Sequence, residues 1–330
     1  MSAPTVTVAM SVYNDAPYVG AAIDSILAQT MADFELLVID DRSTDGSGEV
    51  IAAKAAEDAR IRILPSPAKG RVPALNALFA AARAPWVSVQ DSDDISTPDR
   101  LAKQLDKAAS DSRLGVIGCT ASLVDADGNH LSDGAPKPID QTAVLDHLEA
   151  KPLVNHNAVL VRRDAVLAIG GYRPAYRHAE DYDLWTRLVD EVHFANLPED
   201  LVAYRVYPGQ TSSAHLVEQT TNAAIAWQAR IERRAGRADP TDGLAAMPPI
   251  GELDALFGRA GVAAYVRRRI AERILYSVEA LAGDGYEPVL THIAETRSRD
   301  PRFWRASARL LKSGRPAAAA GLARALLRAG

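Results

Sequence analysis

Four times between Thr5 and Leu105 a β-rich run is followed by a segment with helical periodicity. "TVTVAMSV", "DFELLVID", "RIRILP" and "WVSVQD" are short and rich in β-branched residues. After "TVTVAMSV" the apolar residues Val19, Ala22, Ile23, Ile26 and Leu27 recur at helical spacing, and Pro17 suits a first turn. Further helices are expected from about 46 to 57, from about 72 to 83, and from the Thr97-Pro98 step through Leu101 and Leu105. "DFELLVID" has an unbroken apolar centre, Leu36 to Ile39, as strands covered on both faces do. Strands joined by single helices pair in parallel through right-handed crossovers, so an α/β sheet is the expected framework.

Beyond Leu114 the alternation stops. "LGVIGCTASLVDADGNHLSDG" reads as two strands around an Asp-Gly turn. Asp125, Asp127 and Asn129 faintly resemble a calcium loop, but no closing Glu follows at the required spacing, so a hairpin is expected. "NHNAVLVRR" reads as a strand, and "EDYDLWTRLVDE" and "EQTTNAAIAWQARIERR" as helices. A polar Pro/Gly stretch at about 235–249 reads as a linker, followed by Ala/Arg/Leu-rich helices.

With 330 residues the chain can hold a full α/β domain and an appendage. Its single cysteine, Cys119, excludes an internal disulfide and a cysteine-based zinc cluster, and a reducing cytoplasm is expected. The N-terminus lacks the pattern of a signal peptide, and no run approaches the roughly 20 apolar residues of a membrane span. Charge is uneven. Residues 251–330 hold fourteen Arg or Lys against eight Asp or Glu, so a net charge of −5 leaves the first 250 at −11. Such an acidic body argues against nucleic-acid binding.

Ligands of open α/β sheets bind beyond the carboxyl ends of the strands, and acids gather there. Asp40 and Asp41 end the second run, "DSDD" (Asp91, Ser92, Asp93, Asp94) ends the fourth, and Glu180, Asp181 and Asp183 open a later helix. Each set alone could be a turn, a cap or a helix-dipole complement. All three in one sheet point instead to a site. Neither G-x-G-x-x-G nor G-x-x-x-x-G-K-[ST] occurs, which argues against a dinucleotide fold and a phosphate-binding loop. Clustered carboxylates select hard cations, Mg²⁺ or Mn²⁺, which bridge to phosphates, and Asp41 stands where a carboxylate could accept from uracil N3–H or ribose.

The ordered motifs "VAMSVYNDAPYVGAAIDSILAQT", "FELLVIDDRSTDGS", "GRVPALNALFAAARAPWVSVQDSDDISTPDRL" and "GGYRPAYRHAEDYDLW" resemble those of the family 2 inverting glycosyltransferases of the GT-A fold, over about residues 4–210. The resemblance implies a Rossmann-like, mostly parallel central sheet flanked by helices, with a C-terminal α-helical appendage. It implies transfer of a sugar from a nucleotide-diphosphate donor, most simply a UDP-sugar, to a hydroxyl of a glycan, lipid-linked or protein acceptor in cell-surface polysaccharide synthesis, with Mn²⁺ or Mg²⁺ as cofactor. Ser11, Tyr13 and Asp41 match positions holding the base and ribose, and Arg71 a position near the nucleotide. Asp91-x-Asp93, with Ser92 between, matches the DXD element. Asp91 would face the ribose or a metal-bound water, Asp93 would ligate the metal and Asp94 would order the loop. Asp181 matches the catalytic base, beside Glu180 and Asp183. Trp185 would lie near the acceptor or in the core. Many members carry a metal-binding His where this chain has Tyr207, so His215, His156 or water would complete the metal site.

Two other functions share an acidic site: a sugar nucleotidyltransferase and a non-catalytic glycan-binding scaffold. The first usually needs a Gly-rich basic N-terminal loop, which "MSVYNDAPYVG" is not, and the second is at odds with an intact Asp93 and Asp181. Domains are expected at 1–212 and 213–330. The tail from Arg302 has seven basic residues and no acid, among Phe303, Trp304, Leu310, Leu311, Leu322, Leu326 and Leu327. Such a segment either lies peripherally on the inner face of a membrane, or packs on preceding helices or a second subunit.

Overall fold

The computed structural model describes residues 3–149, 153–207 and 215–329. It divides into two compact units, Met1–Arg173 with Leu184–Pro208, and Pro174–Asp183 with Gly209–Gly330.

The first unit is built on one sheet. Strands β1 (Val6–Val12), β2 (Phe34–Asp40), β3 (Ile61–Leu64) and β4 (Trp86–Val89) pair in parallel in the order β3-β2-β1-β4. Helices α1 (Ala16–Leu27), α2 (Ser47–Glu57) and α3 (Arg71–Ala81) connect them. Helix α1 buries Val19, Ala22, Ile23 and Ile26, the stripe its periodicity predicts. In register, Val12 lies beside Asp40 and Ala9 beside Val89. The loops after β1, β2 and β4 therefore leave the sheet at one edge.

The rest of the sheet is mixed, so "mostly parallel" describes only its first half. β5 (Ile95–Ser96) precedes α4 (Arg100–Ala109); then come β6 (Leu114–Val124), β7 (His130–Ser132), α5 (Gln141–His147), β8 (Leu160–Arg162) and α6 (Arg163–Ala168). α7 (Glu180–Leu188) leads to β9 (His193–Arg205). β8 runs antiparallel to both β4 and β6, β9 runs parallel to β6, and β5 pairs antiparallel with β9. The Asp125–Asn129 turn joins β6 to β7 as a hairpin. The segment expected as one strand from Asn155 opens with a 3₁₀ turn, His156–Ala158, and only Leu160–Arg162 pairs. β9 was not expected. Pro198, Glu199 and Asp200 interrupt its apolar pattern, and its register against β6 shifts there.

Glu35, on β2 and 2 % exposed, ties the first half together. It accepts from Thr7 Oγ1 (2.8 Å) on β1, Arg62 Nη1 (2.6 Å) on β3, and Arg83 N (2.9 Å) and Nε (2.8 Å) before β4.

The second unit is helical: α8 (Leu216–Arg234), α9 (Leu253–Leu256), α10 (Val262–Ile274), α11 (Val278–Ala282), α12 (Tyr286–Thr296), α13 (Pro301–Lys312) and α14 (Pro316–Ala329). Its core gathers Ile225, Val266, Ile270, Val289, Phe303 and Leu322. The tail thus uses Phe303, Leu310, Leu322 and Leu326 for packing and leaves Trp304, Leu311 and Leu327 exposed. Residues 235–249 form neither helix nor strand, yet they are anchored. Thr241 is buried against Tyr176 Oη (2.7 Å), and Asp239 pairs with Arg233 (2.6 Å). No helix among the described residues is long and apolar enough to cross a membrane.

Burial alone would push the Glu35 carboxyl up, but the hydrogen bonds from Arg83, Arg62 and Thr7 outweigh it and hold it below its ordinary value. A depressed carboxyl contributes stability that is present above the unfolded-state value and lost as pH falls through the folded one. Glu35→Ala is expected to cost about 2 kcal/mol in urea unfolding at pH 7. The gap to the parent should shrink below about pH 4.5; a gap that does not change with pH would contradict the assignment.

Candidate active site

At the shared edge, the loops after β1 and β2 clasp each other. Asn14 Oδ1 accepts from Thr44 N (2.9 Å), Asn14 N donates to Ser43 Oγ (2.9 Å), and Asp40 Oδ1 receives Ser43 N (3.0 Å). Asn14 and Arg42 both sit at positive φ, 54° and 65°, where residues other than glycine are uncommon. Asp41 is buried; its N donates to Val12 O (2.8 Å), and its carboxylate accepts from Ser66 Oγ (3.0 Å) and Gly70 N (2.7 Å). Gly70 has φ 116°, which a side chain would strain. Ser11 is half-buried at the end of β1, and Tyr13 beyond it is exposed.

The four residues of "DSDD" take different partners. Asp94 is fully buried and accepts from Asn157 Nδ2 and from Arg205 N (2.8 Å). Asp91 accepts from Arg71 Nη2 (2.6 Å), the first residue of α3. Ser92 Oγ donates to Asp15 Oδ2. Asp93 Oδ2 accepts from the Tyr207 hydroxyl (3.1 Å), and among the described residues no ion pair reaches Asp93.

The loop is held from beneath. Arg100, wholly buried, donates to Gln90 Oε1 (2.8 Å), Ser96 Oγ (2.9 Å), Ser88 Oγ (3.1 Å) and Val89 O (2.8 Å). Gln90 Nε2 donates in turn to Asp91 O (3.0 Å) and Asp94 O (2.9 Å). From the side, Arg205 Nε donates to Asp93 O (2.9 Å), and its guanidinium lies over the Tyr18 ring (4.7 Å).

Ligand-capable oxygens of Asp91, Asp93 and Asp94 lie within 4.8 Å of one another. At an effective dielectric of about 20, two ionised carboxylates that close repel by about 3 kcal/mol. Their partners decide how that cost is shared. Burial opposes ionisation of Asp91, but Arg71, with His156 and Arg100, outweighs it and holds the carboxyl below its ordinary value. Burial, then Asp91 and Asp15, push Asp93 up to about 6. Burial and both neighbouring acids raise Asp94 well above its ordinary value, and burial raises Asp15. Tyr207 is raised by burial and by Asp93, so its phenol stays neutral and donates.

His156 joins this group through Arg71 Nη2 (3.1 Å from Nδ1) and Tyr172 Oη (2.9 Å from Nε2). A guanidinium can only donate, so Nδ1 accepts and the ring proton sits on Nε2. Trp185 is 1 % exposed and meets Phe194 edge-on (6.1 Å). Among the acids of α7, Asp183 is buried while Glu180 and Asp181 are half-buried, and Asp181 Oδ1 accepts from Tyr182 N (2.7 Å). His215 groups with His178 and Glu218 in the second unit. Sequence reading missed Asp15, Gln90, Arg100, Asn157 and Arg205. Asp15, Gln90 and Arg100 lie inside the quoted motifs, but nothing local marks them as partners of "DSDD".

Residues 7–159 match the family described as Glycosyl transferase family 2. Over those residues the chain resembles a family 2 glycosyltransferase domain. Among the chain's relatives, chondroitin synthase of Pasteurella multocida is 26 % identical over 70 % of the chain. The chain spans only 24 % of that protein's length. The O-antigen biosynthesis glycosyltransferase WbnJ of Escherichia coli is 29 % identical over 64 % of the chain and 83 % of its own length. Two solved structures share the fold. S. aureus TarS 1-349 in complex with UDP is 14 % identical with a TM-score of 0.57, covering 98 % of this chain and 88 % of that one. The mannosyltransferase PcManGT of Pyrobaculum calidifontis, in complex with GDP-Man and Mn²⁺, is 18 % identical with a TM-score of 0.55, covering 99 % and 88 %. These GT-A-like neighbours agree with the α/β fold expected for a family 2 glycosyltransferase.

A carboxyl held high disfavours the folded state as pH rises from its unfolded value of 3.8 through about 6. In cation-free buffer at pH 7.5, Asp93→Asn is therefore expected to raise the thermal midpoint of the protein by about 2–4 °C. The gain should vanish at pH 4. A lower midpoint at pH 7.5 would show that Asp93 is not under charge repulsion.

Proposed function

We propose that the chain transfers a sugar from a nucleotide-diphosphate donor, a UDP-sugar, to an acceptor hydroxyl with inversion, and that Mn²⁺ or Mg²⁺ assists at Asp93. Asp93 carries this reading: a carboxylate among other acids, raised to about 6, with no ion pair among the described residues. The donor set fits a hard cation, since it is all oxygen and the other acids already have partners. Asp94 is committed to Asn157 and Arg205, and Asp91 to Arg71, which leaves Asp93 to ligate and Asp91 to face the ribose or a metal-bound water.

Around the donor, Asp41 is fixed by Gly70 N and Ser66 Oγ. A carboxylate has about four lone-pair sites, so two remain for uracil N3–H or ribose, beside Ser11 and Tyr13. Arg71 can donate to the nucleotide, and Ser92 Oγ, whose proton goes to Asp15, can accept from a ribose hydroxyl. A divalent cation, when bound, neutralises the charge that grows on the leaving diphosphate. Asp181 takes the proton from the acceptor hydroxyl as it attacks. A single base opposite the leaving group gives one displacement, hence inversion.

The names of the relatives, chondroitin synthase and an O-antigen glycosyltransferase, support a glycan or lipid-linked acceptor in cell-surface polysaccharide synthesis. Exposed Trp304, Leu311 and Leu327 among basic residues suit a peripheral contact with an anionic inner membrane face, or a second copy of the chain.

Calorimetric titration with UDP tests the metal assignment. Asp93→Ala should abolish the Mn²⁺-dependent part of the affinity, and an unchanged Mn²⁺ dependence would overturn it. Asp181→Asn should bind UDP normally and lose about 10²–10⁴-fold in turnover. Normal turnover of Asp181→Asn beside an inactive Asp183→Asn would move the base to Asp183.

A further inference from the structure

Within the second unit, His178, His215 and Glu218 bring two imidazoles and a carboxylate together, with ligand atoms all within 4.8 Å. The two rings stack in parallel, with centroids 3.9 Å apart and planes 7° apart. One oxygen, Glu218 Oε2, lies 3.6 Å from His178 Nε2 and 3.9 Å from His215 Nδ1. Both separations are too long for hydrogen bonds. His178 Nε2 is buried and has no hydrogen-bond partner among the described residues. A buried polar nitrogen left this way costs about 1–3 kcal/mol.

The residues are also built into place. His178 holds a φ of 63°, uncommon for a residue other than glycine. The preceding carbonyl, Arg177 O, accepts from the buried Asn222 Nδ2 (2.7 Å) on α8, one turn beyond Glu218. His215 and Glu218 are three residues apart at the start of α8, so they share a face of its first turn. The chain therefore fixes an unpartnered imidazole opposite a His-x-x-Glu pair.

We propose that His178, His215 and Glu218 bind a borderline divalent cation of the Zn²⁺ class. Two imidazoles favour zinc or a similar transition metal over Mg²⁺ or Mn²⁺. In a tetrahedral site with bonds of about 2.0–2.1 Å, ligand atoms lie roughly 3.3 Å apart. Imidazole lone pairs lie in the ring plane, so the stacked rings must turn out of parallel for both nitrogens to face one cation, while the 3.6 and 3.9 Å separations from Glu218 Oε2 close by roughly 0.3–0.6 Å. Three protein ligands leave the fourth position to water or a ligand oxygen. This site shares no residue with the Asp93 cluster and does not depend on how that cluster is read.

The test uses the full chain carrying Asp93→Ala, which removes the acidic loop's own affinity. After chelation and dialysis it is titrated with Co²⁺, followed by visible d–d absorption, and with Zn²⁺ in calorimetry. One equivalent of each should bind, with the Co²⁺ bands of mixed nitrogen and oxygen ligation. His178→Ala and His215→Ala should each lose that equivalent, and Glu218→Gln should weaken binding at least tenfold while circular dichroism stays unchanged. Absence of Co²⁺ and Zn²⁺ binding in the Asp93→Ala chain would overturn the proposal. So would an unchanged equivalent in a folded His178→Ala/His215→Ala double variant.

Discussion

A single buried guanidinium makes the acidic loop possible. Burying Arg100 would cost several kcal/mol if it were left unsatisfied. It is met instead by Gln90, Ser96, Ser88 and the Val89 carbonyl, all of which belong to β4, its following loop or β5. Because Gln90 passes the constraint on to the carbonyls of Asp91 and Asp94, the loop backbone is fixed before any of its carboxylates is considered. A positive charge beneath the loop also offsets part of the repulsion above it. The acids can be crowded because the scaffold that holds them is cationic and dry.

The strands that carry this arrangement differ in how openly they show themselves in the sequence. β1, β2 and β4 are short β-branched runs followed by helical periodicity, and local pattern finds them. β9 is longer than any of them, at 13 residues, and is hidden by Pro198, Glu199 and Asp200 at its midpoint. That omission conceals much of the site's other side, because β9 delivers Arg205 and leads to Tyr207. Sequence alone leaves Trp185 between a core and an acceptor role; the structure buries it between Phe194 and His156. The tail shows the same limit, since periodicity cannot say which of its leucines meet the preceding helices.

The acids were legible as a set, and their individual roles were not. Asp91, Asp93 and Asp94 are neighbours of identical chemistry, so no local rule tells them apart. What separates them is distant in sequence: Arg71 for Asp91, Tyr207 for Asp93, Asn157 and Arg205 for Asp94. The family resemblance assigned roles by position, and those roles are compatible with this pattern of partners. Tyr207 is a departure from that resemblance with a visible effect. Where a histidine would offer a lone pair, the neutral phenol offers a proton to Asp93.

The Arg71–Asp91 contact has a thermodynamic corollary. Arg71 holds the one carboxylate of the cluster that is kept below its ordinary ionisation range. An anion that draws this guanidinium away leaves Asp91 charged without its counter-ion, and the cluster then attracts cations more strongly. Free energy does not depend on the order of events, so a cation that binds first must strengthen the anion's hold by the same factor. Two ligands of opposite sign are thereby coupled through one shared arginine, with no movement of the backbone required.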